Sequence, residues 1–287
     1  MSVTFAAVKR VVRRALIRPT VPLTALKPVP MQRLIEHGRC IYDGYQRGTA
    51  LKYGTLADEV WQDPVFRRAL AAARLPPVRT MIEENRLMNI FLIIKFFMGD
   101  LASQNIIEFG AFRGGGTIFM AMLLREFYPR ARVYGLDTYT GMPNLRNGLD
   151  KPPPDDFAAV DMETSERTAR SLGLTNIEFV KGPIESTAPE VFRRGGPFGM
   201  ANVDVVLYSS VRYAQSSVWN HMTPGGYVIN DDATEPTCPG ATQAVEEMIR
   251  EQNVSIEQVW PHIVVRAHLT SCDYAELAIC DHLKTDQ

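Results

Sequence analysis

The chain has 287 residues, 46% of them hydrophobic and 22% charged, with a formal net charge of −1. Such a composition describes an ordinary soluble protein, long enough for one large α/β domain and an extension. The near balance of charge gives no case for nucleic acid as a partner. Four scattered cysteines (Cys40, Cys238, Cys272, Cys280) without a C-x-x-C pair argue for neither a zinc site nor a disulfide framework, and fit reduced thiols in a cytoplasmic protein. No signal peptide with a cleavage site is evident.

Charge is concentrated at the start. Residues 1–40 hold eight Lys or Arg against Glu36 alone, which gives +7. Residues 3–17 can form a basic amphipathic helix that Pro19 would stop. Two readings stand for this arm: contact with an anionic membrane surface or a partner, and a solvated tail. Residues 20–30 are proline-rich and read as an extended linker. Two or three helices follow over 31–73, and Pro76-Pro77 ends this N-terminal region of 1–77. These helices offer a surface for a second subunit, so a homo-oligomer is one expectation.

The second region, 78–287, opens with a helix over about 78–98. Its apolar run at 90–98 carries Lys95 and is too short to cross a bilayer. Strands are then expected at 105–109, 132–137, 176–181, 200–206 and 225–231. Helices alternate with them at 115–127, 161–172, 187–194, 210–221 and 239–252. Short tail strands are expected at 257–260, 263–269 and 275–280. Repeated βα units predict a doubly wound α/β fold, a mostly parallel sheet with helices on both faces and an antiparallel edge. The loop at 144–160, long, proline-rich and acidic, reads as a lid or as an unstructured insertion.

The first strand carries the strongest signal. Residues 105–120 read NIIEFGAFRGGGTIFM, a strand ending in Glu108-Phe109-Gly110 that passes through Arg113-Gly114-Gly115-Gly116 into a helix. Glycines let the backbone approach a ligand closely, and the new helix offers unpaired N–H groups. The spacing differs from the G-x-G-x-x-G of dinucleotide folds. An acid at the strand end suits a cationic ligand with donor groups, and S-adenosylmethionine fits that better than a nicotinamide dinucleotide. A turn made only for packing is the alternative. Asp137 ends the second strand, where doubly wound folds hold a ribose; it is also placed to cap the turn behind it.

Asp204 near the end of the fourth strand and Asp231-Asp232 at the end of the fifth can meet in space. Three hard oxygen donors at an open site suit Mg²⁺, which would hold and acidify an acceptor hydroxyl. Strand-end caps are the alternative reading of each alone.

These residues carry a resemblance. From about Thr80 to Arg250 the chain resembles the macrocin O-methyltransferase family, metal-dependent class I methyltransferases with a Rossmann-like fold that act on sugar hydroxyls. The matching stretches are Thr80-Met81-Ile82 with Arg86-Leu87, Ile107–Gly110 with Arg113-Gly114-Gly115, and Leu136–Tyr139 with Gly141-Met142-Pro143. Asp204 with Leu207–Ser210, Pro224–Ile229 with Asp231-Asp232, and Cys238-Pro239-Gly240 complete the set. The resemblance implies a seven-stranded sheet and S-adenosylmethionine held by Thr80, Met81, Glu108, Gly110, Arg113, Gly114, Gly115, Asp137 and Thr138. It implies Mg²⁺ on Asp204, Asp231 and Asp232, and a sugar or glycosylated small molecule as acceptor. One departure stands out. The family pattern Asp-x-Asp at the fourth strand, whose second Asp is proposed as general base, reads Asp204-Val205-Val206 here. Either the metal suffices, or Glu235 or His221 serves as base, or the chain is a cofactor-binding subunit with impaired transfer.

Overall fold

The computed structural model describes residues 56–142, 150, 157, 161–252 and 254–270. The basic arm, the proline-rich linker, most of the expected lid and the strand expected at 275–280 lie outside them. The described residues from Glu59 onward belong to one compact unit, which thus takes in helices N-terminal to the expected boundary at residue 77.

Two short helices, α1 (Leu56–Gln62) and α2 (Pro64–Ala73), lead the described chain. Asp63 separates them as an N-cap, accepting from Val65 N at 2.7 Å and Phe66 N at 3.2 Å, with Pro64 in the first turn. Buried Phe66 meets Phe91 and Phe119 edge-to-face, with ring centroids 5.3 and 5.9 Å apart. Burial of a ring of this size contributes about 2–3 kcal/mol. The single helix expected over 78–98 is instead a 3₁₀ turn at Pro76–Val78, an extended stretch, and then α3 (Glu84–Leu92) running into a π-turn at Ile93–Phe97. The physical reason is the bond from Thr80 N to Ala73 O (2.8 Å), which folds the chain back on α2.

From there strand and helix alternate as expected: β1 (Ile106–Phe109), α4 (Gly115–Phe127), β2 (Val133–Asp137), α5 (Met162–Ser171), β3 (Ile177–Lys181), α6 (Ile184–Gly195) and β4 (Phe198–Val203). Next come α7 (Tyr208–Trp219), β5 (Met222–Asn230), a 3₁₀ turn at Asp231–Thr234, α8 (Pro239–Gln252), β6 (Val254–Gln258) and β7 (Ile263–Thr270). The seven strands pair in the order β3-β2-β1-β4-β5-β7-β6. The first five are parallel, while β7 runs antiparallel to both of its neighbours. This is the mostly parallel seven-stranded sheet with an antiparallel edge that was expected. β1 and β4 are buried throughout, as strands covered on both faces must be.

Two of the boundary differences from expectation bear on the site. β4 ends at Val203 rather than 206, because the backbone turns at Val206, whose φ is +56°. β5 begins three residues early and carries Pro224–Gly226 as an irregularity, where its register with β4 shifts. Strand order reverses across β1 and β4, and open parallel sheets hold ligands at such a crossing.

Candidate functional site

At the carboxyl ends of β1, β2 and β4 lies a cavity of about 360 Å³. Its walls include Thr80, Met81, Glu108, Gly110, Arg113, Gly115, Asp137 and Thr138, eight of the nine residues expected around a cofactor. The ninth, Gly114, takes a left-handed conformation (φ +82°) as the N-cap of α4 and sets the loop's path. Gly110 is fixed by contact. With φ +93°, a β-carbon on it would lie 1.8 Å from the Asp204 carbonyl oxygen, so the glycine loop passes directly over the end of β4. At Gly115 the equivalent atom would lie 2.2 Å from Val78 O, and this close approach carries Thr80 and Met81 to the cavity. Met81 is 68% exposed and marks the mouth.

Glu108 stands on the floor, 1% exposed. Its carboxyl accepts from the Thr117 hydroxyl and, at 3.1 Å, from Asn202 Nδ2. Burial pushes the group up to about 7, and those two bonds only partly oppose the rise. Asp137 performs the turn-capping task that is one of the two expected of it. One oxygen accepts from Phe112 N and the other from Tyr139 N, each at 2.8 Å, so the carboxylate ties the glycine loop to the β2 turn while still lining the cavity. The cap reading of Asp137 is thus observed, in a carboxylate that also stands in the cavity wall. The Arg113 guanidinium lies over the Phe112 ring at 4.9 Å, and Phe112 meets Phe157 at a tilt, with ring centroids 5.1 Å apart; Phe157 belongs to the loop read as a lid or as an unstructured insertion.

The three aspartates do meet. Asp204, Asp231 and Asp232 bring carboxylate oxygens to within 4.8 Å of one another. Asp204 also lines the cavity, so the cluster and the cofactor-shaped space share a wall. Burial raises Asp204 well above the usual carboxylate range, and the charges of Asp231 and Asp232 add to the effect. Asp232 is pushed up to about 6 by burial and then by Asp231. Burial would raise Asp231 as well, but bonds from His262 and Arg86 outweigh it and hold that group low. A cation would relieve the repulsion that raises the other two. The donor set of hard oxygens therefore fits Mg²⁺.

Neither base expected from the sequence faces the cavity. His221 immediately precedes β5, whose site end is Asn230, about 25–30 Å away along a strand of nine residues. Its ring stacks on Phe192 at 4.5 Å, a packing role at the far end of the sheet, and the expectation of catalysis by His221 is withdrawn. Glu235 lies 3.9 Å from the Arg86 guanidinium and borders a separate surface groove. At position 206, Val206 lines the cavity and its N–H donates to Asp232 Oδ2 at 3.0 Å. Sequence reasoning missed Thr117 and Asn202, although each is a polar residue inside an apolar element, which is the available signal. It also assigned no role to Glu185, which lines the cavity, or to Asn89 and His262, which lie behind Asp231.

Comparison with known proteins agrees with this geometry. The sequence profile of the macrocin O-methyltransferase (TylF) family matches residues 53–260. The chain is 29% identical over 177 residues to 8-demethyl-8-(2,3-dimethoxy-alpha-L-rhamnosyl)-tetracenomycin-C 4'-O-methyltransferase of Streptomyces olivaceus, covering 56% of this chain and 65% of that protein. It is 27% identical over 194 residues to mycinamicin III 3''-O-methyltransferase of Micromonospora griseorubida, covering 63% and 74%. Among solved structures, the O-methyltransferase NovP superposes with a TM-score of 0.56 at 23% identity, covering 84% of this chain and 99% of that one. The calicheamicin methyltransferase CalS11 gives 0.54 at 18%, covering 88% and 98%. These likenesses establish the fold, and the profile match establishes the family. The chain belongs to the macrocin O-methyltransferase family of S-adenosylmethionine-dependent methyltransferases.

Proposed function

We propose that this protein transfers a methyl group from S-adenosylmethionine to a sugar hydroxyl of a glycosylated small molecule, assisted by a divalent cation on Asp204, Asp231 and Asp232. One observation carries the reading: the aspartate cluster, its oxygens within 4.8 Å, shares Asp204 with a cavity walled by the glycine loop. A cation bound there supplies Lewis acidity that makes an acceptor hydroxyl easier to deprotonate. The chain's part is placement. The glycine loop, Glu108, Thr80 and Met81 hold the methyl donor on one side, and Asp204 and Asp232 fix the acceptor's hydroxyl on the other, which favours in-line displacement. The acceptor oxygen gains the methyl carbon as the carbon–sulfur bond breaks, which releases S-adenosylhomocysteine, and the hydroxyl proton passes to solvent water. The sugar acceptor is supported by the tetracenomycin relative, whose name specifies a rhamnosyl group.

A second reading is favoured by Val206. A β-branched residue at φ +56° is strained, and it stands in the cavity wall where the family pattern has an acid. Under this reading the chain binds the cofactor but transfers methyl groups poorly and serves as a binding subunit. The two readings part in one experiment, transfer of radiolabelled methyl to rhamnosylated acceptors by wild type and Val206→Asp, with Mg²⁺ or with EDTA. Enzymatic function requires Mg²⁺-dependent wild-type turnover. No wild-type turnover, with activity appearing in Val206→Asp, selects the subunit.

A further inference from the structure

Asp231 differs from its two partners in the cluster because protein donors already hold both of its oxygens. Arg86 Nη1 donates to Oδ2 at 2.6 Å, and His262 Nδ1 lies 3.1 Å from Oδ1. Arg86 comes from α3, far off in sequence, and its other terminal nitrogen reaches Thr234 Oγ1 at 3.4 Å. Thr234 in turn donates to Pro261 O at 2.8 Å, next to His262. Arg86 and Asp231 are 7% and 3% exposed, and His262 is fully buried. A histidine so placed is more than filler only if its proton is fixed.

The chain of bonds behind His262 fixes it. Trp260 contributes a backbone carbonyl, which can only accept, so Gln258 must turn its Nε2 toward it, at 2.9 Å. That leaves Gln258 Oε1 facing inward, where it accepts from Asn89 Nδ2 at 3.0 Å. The same Asn89 amide nitrogen lies 2.7 Å from His262 Nε2. An amide nitrogen only donates, and its two hydrogens serve these two acceptors, so Nε2 is the bare nitrogen of the ring. The ring proton is therefore on Nδ1 and donates to Asp231 Oδ1. Gln258 is 1% exposed and Asn89 is 0% exposed, so bulk solvent does not reach the relay.

We infer that Arg86, Asn89 and His262 are positioning residues for the cation site: they lock Asp231 in a single orientation so that it presents a fixed donor to the ion beside Asp204 and Asp232. The inference rests on the cation reading proposed above. Histidine and carboxylate partners of this kind hold metal ligands in other sites, where their loss costs about 10–100-fold in metal affinity or activity.

The test is Mn²⁺ binding to the full chain by electron paramagnetic resonance, for wild type, His262→Ala and His262→Gln. S-adenosylmethionine affinity and melting temperature are measured on the same samples. A fall in Mn²⁺ affinity of about 10–100-fold in His262→Ala, with cofactor affinity unchanged and largely restored by the amide donor of His262→Gln, supports the inference. Equal Mn²⁺ binding by wild type and His262→Ala overturns it and leaves the cation reading intact. A parallel loss of cofactor affinity and melting temperature in His262→Ala reduces the residue to a structural one. No Mn²⁺ binding by wild type overturns both. Should His262→Ala fail to fold, ¹⁵N spectra of the wild-type imidazoles decide: His262 protonated on Nδ1 is the expected result, and protonation on Nε2 contradicts the relay.

Discussion

The two sides of the cavity are made of different materials. The β1 side is backbone: glycines, helix N–H groups and a loop that Asp137 ties in place. The β4–β5 side is charge: three carboxylates in one cluster, with a guanidinium and an imidazole bonded to one of them. Backbone surfaces tolerate little added bulk, whereas charged clusters respond to pH and ions. The sides touch where Gly110 crosses the Asp204 carbonyl, so a change there should disturb both.

The largest effect is therefore expected from Gly110→Ala. The new β-carbon would meet Asp204 O at 1.8 Å, at a φ of +93°. Left-handed strain of about 1–2 kcal/mol and overpacking of about 1–3 kcal/mol should together cost roughly 2–5 kcal/mol in denaturant unfolding. Cofactor and Mn²⁺ affinities should fall together in calorimetric titrations. Loss of one without the other would separate the two sides.

Glu108 gives a smaller, pH-dependent effect on the backbone side. Its carboxyl titrates near 7 in the folded protein against an ordinary 4.5. The unfolded chain gives up this proton first, so folding takes up a proton between those values. The group's cost is absent below pH 4.5, grows as pH rises, and is complete above about 7. A shift of that size corresponds to about 3 kcal/mol. In urea unfolding, Glu108→Gln should gain on wild type by about this amount across the window. A difference that stays flat with pH would place the carboxylate's cost elsewhere.

The same contrast explains what the sequence disclosed. Glycine spacing, strand-end acids and βα alternation are local signals, and they located the sheet, the loop and the three aspartates. Thr80 and Met81 came from the family resemblance, and their path to the cavity depends on Gly115 accepting Val78 O so closely. The surroundings of Asp231 were not legible in the same way. Arg86 and Asn89 come from α3 and His262 from the turn just before β7, with separations of 145 residues for Arg86–Asp231 and 173 for Asn89–His262. No periodicity links such positions, and a lone histidine beside a strand reads as core. His221 shows the converse, since a residue that precedes the fifth strand stands at its amino end, away from the site. Among the described residues no helix is long and apolar enough to cross a membrane, in keeping with the short apolar run at 90–98.

The central claim is that the glycine side of this cavity holds S-adenosylmethionine and the aspartate side holds a cation. Its most direct test is calorimetric titration of S-adenosylmethionine into the full chain, with Mg²⁺ and again with EDTA. The account predicts micromolar binding in both, since the backbone side needs no ion, together with Mg²⁺ binding that Asp204→Asn abolishes. No heat with S-adenosylmethionine in either buffer would contradict it.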